Sequence, residues 1–199
     1  LPEGKISSRK GNVILYDGLR DQVMAYMEEE VGKRHTDWSE EKVDEVAKVL
    51  TQAVLKFTMQ NHEAAKTIAF NFDEAVCFEG FSAPYLLYMV ARINSLLRKQ
   101  AVAPGPVEGL TQPAEKQLVL QIARYPEVVK KALADYNPSA LTNYAFELAQ
   151  AFGSFYHQHS ILEAETPAIG EARLKLAAAT RQVLVQTLDL LTIKTVEEM

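Results

Sequence analysis

Between Ser139 and His159 the chain carries one charged residue, Glu147, and is apolar or aromatic on most sides of any helix drawn through it. Such a segment is stable only when other helices surround it. No run in the chain approaches the roughly 18 apolar residues needed to span a bilayer. The stretch therefore predicts the central helix of a bundle, and the fold expected around it is all-α.

The flanking sequence supplies the other helices. Asp17 is read as the N-cap of a helix with Leu19, Val23, Tyr26 and Met27 on one face. Ser39 caps a second helix, with Lys42 where a capping box would want Glu. Its apolar face is Val43, Val46, Val49, Leu50, Val54 and Phe57. The apolar run Val13 to Tyr16 reads as a strand. Ile68 to Phe72 alternates weakly and reads as a short extended piece, and Asp73 to Val76 as a helical turn.

Pro84 stands at the start of a long helix expected over Tyr85 to about Val102. Residues 101–113 hold three prolines and two glycines and form the clearest linker. Beyond it come Glu115 to Arg124, a helix opened by Pro126 and running to about Tyr136, then Ser139 to His159, and a last helix from Ala168 to about Ile193.

With 199 residues the chain has room for one good-sized domain, or one domain and an appendage. Its net charge of −5 alone argues against a protein devoted to nucleic acid. The distribution says otherwise. Residues 28–45 hold eight acids against three bases, which accounts for the whole excess. Residues 85–131 hold seven bases against three acids, and residues 1–12 three against one. Two locally basic surfaces are thus masked in the average. The single cysteine, Cys77, excludes a disulfide framework and a Cys-rich zinc site and fits a reducing, cytoplasmic compartment. The four histidines have no metal-ligand spacing, so no metal site is expected. The N-terminus lacks an initiator Met and a signal segment, and the chain reads as cut from something longer.

Two segments could carry chemistry. Lys5-Ile6-Ser7-Ser8-Arg9-Lys10-Gly11-Asn12 is cationic, hydroxyl-bearing and flanked by glycine. Such a loop can reach nucleotide phosphates, since Lys is a mobile point charge and Gly admits close backbone approach. A solvated basic terminus would read the same way. Tyr85 and Tyr88 lie three apart on a predicted helix, with Arg92 and Arg98 following. Rings beside a guanidinium form a platform for unpaired bases. Tyrosines at helical spacing equally describe a core stripe.

The order of these motifs bears on the choice. The loop from Lys5 to Asn12 resembles the second signature of class I aminoacyl-tRNA synthetases, in the form found in arginyl-tRNA synthetases. Phe72 to Gly80, leading through Pro84-Tyr85-Leu86-Leu87-Tyr88 to Ala91-Arg92-Ile93, resembles that family's entry into its anticodon-binding domain. Asn143-Tyr144, Glu147 to Phe152, Ser154-Phe155-Tyr156, Ala172-Arg173-Leu174, Thr180 to Leu184 and the terminal Val196-Glu197-Glu198-Met199 are similar as well. The likeness covers essentially the whole chain.

The resemblance implies a parent that joins arginine to tRNA(Arg) with ATP and Mg2+ through an arginyl-adenylate. Lys5, Ser7, Ser8, Arg9 and Lys10 would contact ATP and the leaving pyrophosphate, where mobile cations stabilise developing charge. Ile6 replaces the usual Met, and Ser8 stands where a second Lys would be, so Arg9 and Lys10 are the expected substitutes. Tyr85, Tyr88, Tyr156 and Met199 match positions that meet the anticodon loop. Arg92 and Arg98 are added as phosphate or stacking partners. On this reading residues 1–16 end a catalytic domain, 17–70 form a stem-contact helical segment, and 71–199 form an anticodon-binding bundle. The arginine and adenine sites would precede Leu1, so this chain alone is expected to be inactive and to hold no cofactor. The parent is expected to be cytoplasmic and monomeric, with no membrane partner. A free-standing tRNA-binding module and a helical interaction protein with core tyrosines are the rival readings.

Overall fold

The computed structural model describes residues 15–63, 66, 68 and 70–199. The signature-like loop, and with it Lys5, Ser7, Ser8, Arg9 and Lys10, lies outside the described residues. Among the described residues there are eight α-helices and no strand: α1 Tyr16–Arg34, α2 Glu40–Gln60, α3 Phe72–Val76, α4 Ala83–Lys99, α5 Pro113–Ala123, α6 Tyr125–Ala134, α7 Ser139–Gln158 and α8 Pro167–Leu190.

The first two helices form a hairpin. α1 buries Val23, Met27 and Val31, one residue per turn of a single stripe. Asp17 is not its N-cap. The cap lies two residues earlier, at Leu15, whose side chain offers no capping oxygen. Asp17 instead sits in the first turn and pairs with Arg20 at 2.9 Å, where a carboxylate suits the helix dipole. Tyr16 opens a helix rather than ending a strand. α2 begins as its sequence predicts: Ser39 Oγ accepts from the Lys42 backbone N–H at 3.3 Å. Val46, Leu50, Val54 and Phe57 are buried, while Val43 and Val49 pack at the edge of the core.

The expected extended piece over residues 68–72 is absent among the described residues, and Phe72 opens α3. A turn then sets α4. Gly80 takes φ +75°, which a side chain would oppose. Past it, Ser82 Oγ donates to the Cys77 carbonyl at 2.5 Å and accepts from the Tyr85 backbone N–H at 3.3 Å. That cap fixes where the tyrosines of α4 point. The helix ends at Lys99, three residues short of the expected Val102. Val102 is exposed, so a further turn would bury nothing, and Pro104 disfavours helix before it.

Residues 100–112 are the linker. The Lys175 ammonium donates to the Pro106 carbonyl at 3.1 Å, and Leu110 packs on the core. A buried charge cluster anchors the linker's end. Glu115 Oε2 accepts from the Gln112 backbone N–H at 2.9 Å, and Glu115 Oε1 from Arg173 Nε at 2.8 Å. Arg173 Nη1 also donates to the Ser160 carbonyl at 2.8 Å and pairs with Glu165 at 3.0 Å. The Arg173 and Glu115 side chains are 3% and 1% exposed. Burial alone would push the Glu115 carboxyl up, but the Arg173 hydrogen bond and backbone N–H groups hold it below its usual value.

α7 is the central helix, touching α2, α4, α5, α6 and α8. Phe152 and Phe155 are fully buried at its heart. One core runs from Val23 of α1 to Val196 near the C-terminus, because α2 packs on α4 and α4 on α7 and α8. α8 starts at a Thr166 cap and ends at Leu190, slightly short of the expected Ile193.

Candidate nucleic-acid interface

The outward face of α4 carries Tyr85, Tyr88, Arg92 and Arg98 at helical spacing, but the four side chains meet different surroundings. Tyr85 is half-buried. Its ring meets Phe146 of α7 edge-on at 5.7 Å, Phe146 meets Phe81 at 5.0 Å, and Phe81 meets the buried Phe57 at 5.1 Å. Tyr85 thus ends an aromatic chain rising from the core, and burial pushes its hydroxyl pKa up. Gly153 of α7 leaves room for it: a Cβ there would lie 3.5 Å from Tyr85 Oη and 3.2 Å from Met89 Cε.

Tyr88, one turn on, is 37% exposed. The Arg92 guanidinium lies 5.7 Å from the Tyr88 ring centre and 4.4 Å from that of Tyr156 on α7. Arg92 therefore joins two rings from two helices, a contact that orients both rings and cation. Among the described residues no carboxylate comes within ion-pair distance of Arg92. Tyr156 is backed by Phe152 at 5.8 Å and is half-buried.

Beside Tyr88 runs an open groove of about 390 Å³. Tyr88, Ala91, Arg92, Ser95 and Arg98 form its floor, His35 and Trp38 of the α1–α2 turn one wall, and Glu198 and Met199 the other. The rings of His35 and Trp38 stack at 3.8 Å, 12° from parallel. The Lys42 ammonium lies 3.9 Å from the Trp38 ring centre. The expected residues Tyr88, Arg92, Arg98 and Met199 thus share one groove. Tyr156 touches it through Arg92, and Tyr85 stands one turn away, half in the core. His35, Trp38 and Lys42 were not anticipated from sequence. A lone Trp three residues after a His, in a turn between charged helices, was the available signal; nothing local told which helix that turn would face.

Met199 owes its position to a tethered tail. Asn94 Nδ2 donates to the carbonyls of Val196 and Glu197 at 3.4 Å, and Arg98 Nη1 to the Glu197 carbonyl at 3.2 Å. Arg181 donates to Asn94 Oδ1, and Lys56 to the Thr192 carbonyl. The Glu198 carboxylate bridges Lys42 at 2.8 Å and Arg98 at 3.4 Å. Hydrogen bonding to Lys42, with the two positive charges, holds that carboxyl below its ordinary pKa. Arg98 is therefore engaged by the tail, whereas among the described residues Arg92 is engaged by the two rings alone.

Fold and groove together define an all-helical module with an aromatic and cationic surface site. The chain belongs to the DALR anticodon binding domain family, whose profile matches residues 86–199. Over all 199 residues it is 38% identical to the arginine–tRNA ligase of Methanocella arvoryzae, covering 35% of that protein. It is 34% identical to the arginine–tRNA ligase of Pyrococcus furiosus, again along the whole chain and over 33% of the relative. The chain therefore spans about a third of the length of the curated relatives it matches. Among solved structures, Thermus thermophilus arginyl-tRNA synthetase superposes with a TM-score of 0.87 at 27% identity, over 94% of this chain and 32% of that one.

Proposed function

We propose that this chain is the tRNA-binding portion of an arginine–tRNA ligase, and that the groove on α4 meets unpaired bases of the anticodon loop of tRNA(Arg). The observation that carries this reading is Arg92 held between Tyr88 and Tyr156 next to Met199, in a chain whose full length aligns with arginine–tRNA ligases. Every base has a π-face, so an exposed Tyr88 ring beside a guanidinium supplies affinity, and groove shape and Met199 restrict which base enters. Tyr156 acts through Arg92, and Tyr85 supports the platform from beneath.

The parent enzyme, on this proposal, consumes ATP and arginine to make an arginyl-adenylate and then esterifies tRNA(Arg). Lys5, Ser7, Ser8, Arg9 and Lys10 would serve its ATP step, with Mg2+ as counter-ion to the pyrophosphate. The partition at residues 16 and 70, action as a monomer and cytoplasmic residence belong to the same reading. The test is tRNA(Arg) binding to the wild-type chain and to Tyr88→Ala. Loss of one stacked base is worth about 1–3 kcal/mol, so affinity should fall about fivefold or more. Unchanged affinity in a folded Tyr88→Ala protein would refute the assignment.

A further inference from the structure

The Glu198 carboxylate is gripped by two cations that belong to different parts of the chain, Lys42 of α2 and Arg98 of α4, each on its own oxygen. Two positive groups converging on one anion, at the rim of a groove that opens onto Tyr88, have the chemistry of a phosphate site. The occupant in the free chain is the protein's own tail.

We propose that Lys42 and Arg98 form a seat for a backbone phosphate of bound RNA, held by Glu198 until RNA displaces it. The inference rests on the RNA-binding reading above and extends it beyond residues 86–199, because Lys42 lies outside the family match.

Three observations make the exchange feasible. All three side chains are about half exposed, at 43% for Lys42 and Glu198 and 48% for Arg98, so the pair is solvated and weak. The tail does not depend on it: Asn94 still holds the Val196 and Glu197 carbonyls, and Val196 is buried. Trp38 keeps the Lys42 ammonium over its ring, so the cation stays at the groove when the carboxylate leaves. A phosphate then gains one charge-assisted contact from each cation.

The experiment is a tRNA(Arg) titration of the 199-residue chain as wild type, Glu198→Gln, Lys42→Ala and the double variant, over a range of salt. Glu198→Gln should tighten binding about fivefold, because the competitor is gone. Lys42→Ala should weaken binding and lower the slope of log affinity against log salt by about 0.7, the share of one phosphate on a single strand. In the double variant the gain from Glu198→Gln should vanish. A Glu198→Gln protein no tighter than wild type overturns the seat, as does a gain that survives loss of Lys42, which would mark general charge repulsion. Tyr88→Ala runs beside these. If it weakens binding while the Glu198 and Lys42 variants are silent, only the seat falls. If Tyr88→Ala binds as wild type, the RNA-binding reading falls and takes the seat with it.

Discussion

Two clusters of arginine and glutamate stand at opposite extremes of exposure. Around Arg173 the guanidinium is almost wholly buried and meets Glu115, Glu165 and the Ser160 carbonyl. Around Arg98 the guanidinium is half exposed and meets Glu198 and the Glu197 carbonyl. The chemistry is the same; the solvent is not. A buried pair is costly to assemble and far costlier to break, since the surviving charge is stranded. A half-exposed pair is worth about 0–1 kcal/mol and exchanges readily. The first therefore fixes how the linker's end meets α8, and the second is free to trade partners, as the proposed phosphate seat requires.

Breaking the buried cluster should give the largest effect. Arg173→Met leaves the Glu115 carboxylate unpaired in the interior and should cost about 3–5 kcal/mol, read by chemical denaturation. Removing both charges, as in Arg173→Met with Glu115→Leu, should recover most of that loss, because nothing is then stranded. Acid tests the same cluster. The Glu115 carboxyl lies below its ordinary pKa in the fold. Its contribution is thus complete above the unfolded carboxylate value and is lost as pH falls through the lowered folded value. Denaturation midpoints should drop over that acidic window, and less steeply for Glu115→Gln.

A tyrosine of α7 and a lysine of α2 sharpen the contrast on a smaller scale. Tyr144 donates to the Gln121 carbonyl at 2.9 Å, and burial pushes its hydroxyl up to about 12. Tyr144→Phe should cost about 1 kcal/mol of stability by thermal unfolding, the worth of one buried hydrogen bond, without touching RNA affinity. Lys42→Ala should do the reverse. Its stability change should stay within about 1 kcal/mol while its RNA titration moves. A Lys42→Ala protein that unfolds as readily as Arg173→Met would erase the distinction between the two clusters.

Much of this architecture was legible in the chain itself. One charge between Ser139 and His159 sufficed to make that segment the centre, and Ser39 and Pro84 marked helix starts. Asp17 misled because an acid in the first turn and an acid at the cap look alike in sequence, and only the Leu15 backbone decides between them. The end of α4 was set by what its next turn could bury, a tertiary fact. In the groove, spacing placed Tyr85 and Tyr88 on one face but could not tell that Phe146 would claim the first ring and leave the second open. Trp38 was invisible for a related reason. Its neighbours Tyr88 and Met199 lie far away along the chain, and no local pattern encodes that meeting.

That meeting has an optical consequence. Trp38 is the only tryptophan of the chain, and its indole is stacked on the His35 imidazole beneath the Lys42 ammonium. Selective excitation of the indole therefore samples one spot, where the α1–α2 turn, α4 and the C-terminal tail join. Emission there should respond when the Lys42 ammonium swings away from the ring. The protein carries, without any label, an intrinsic fluorophore at the junction where the proposed exchange of Glu198 for phosphate would take place.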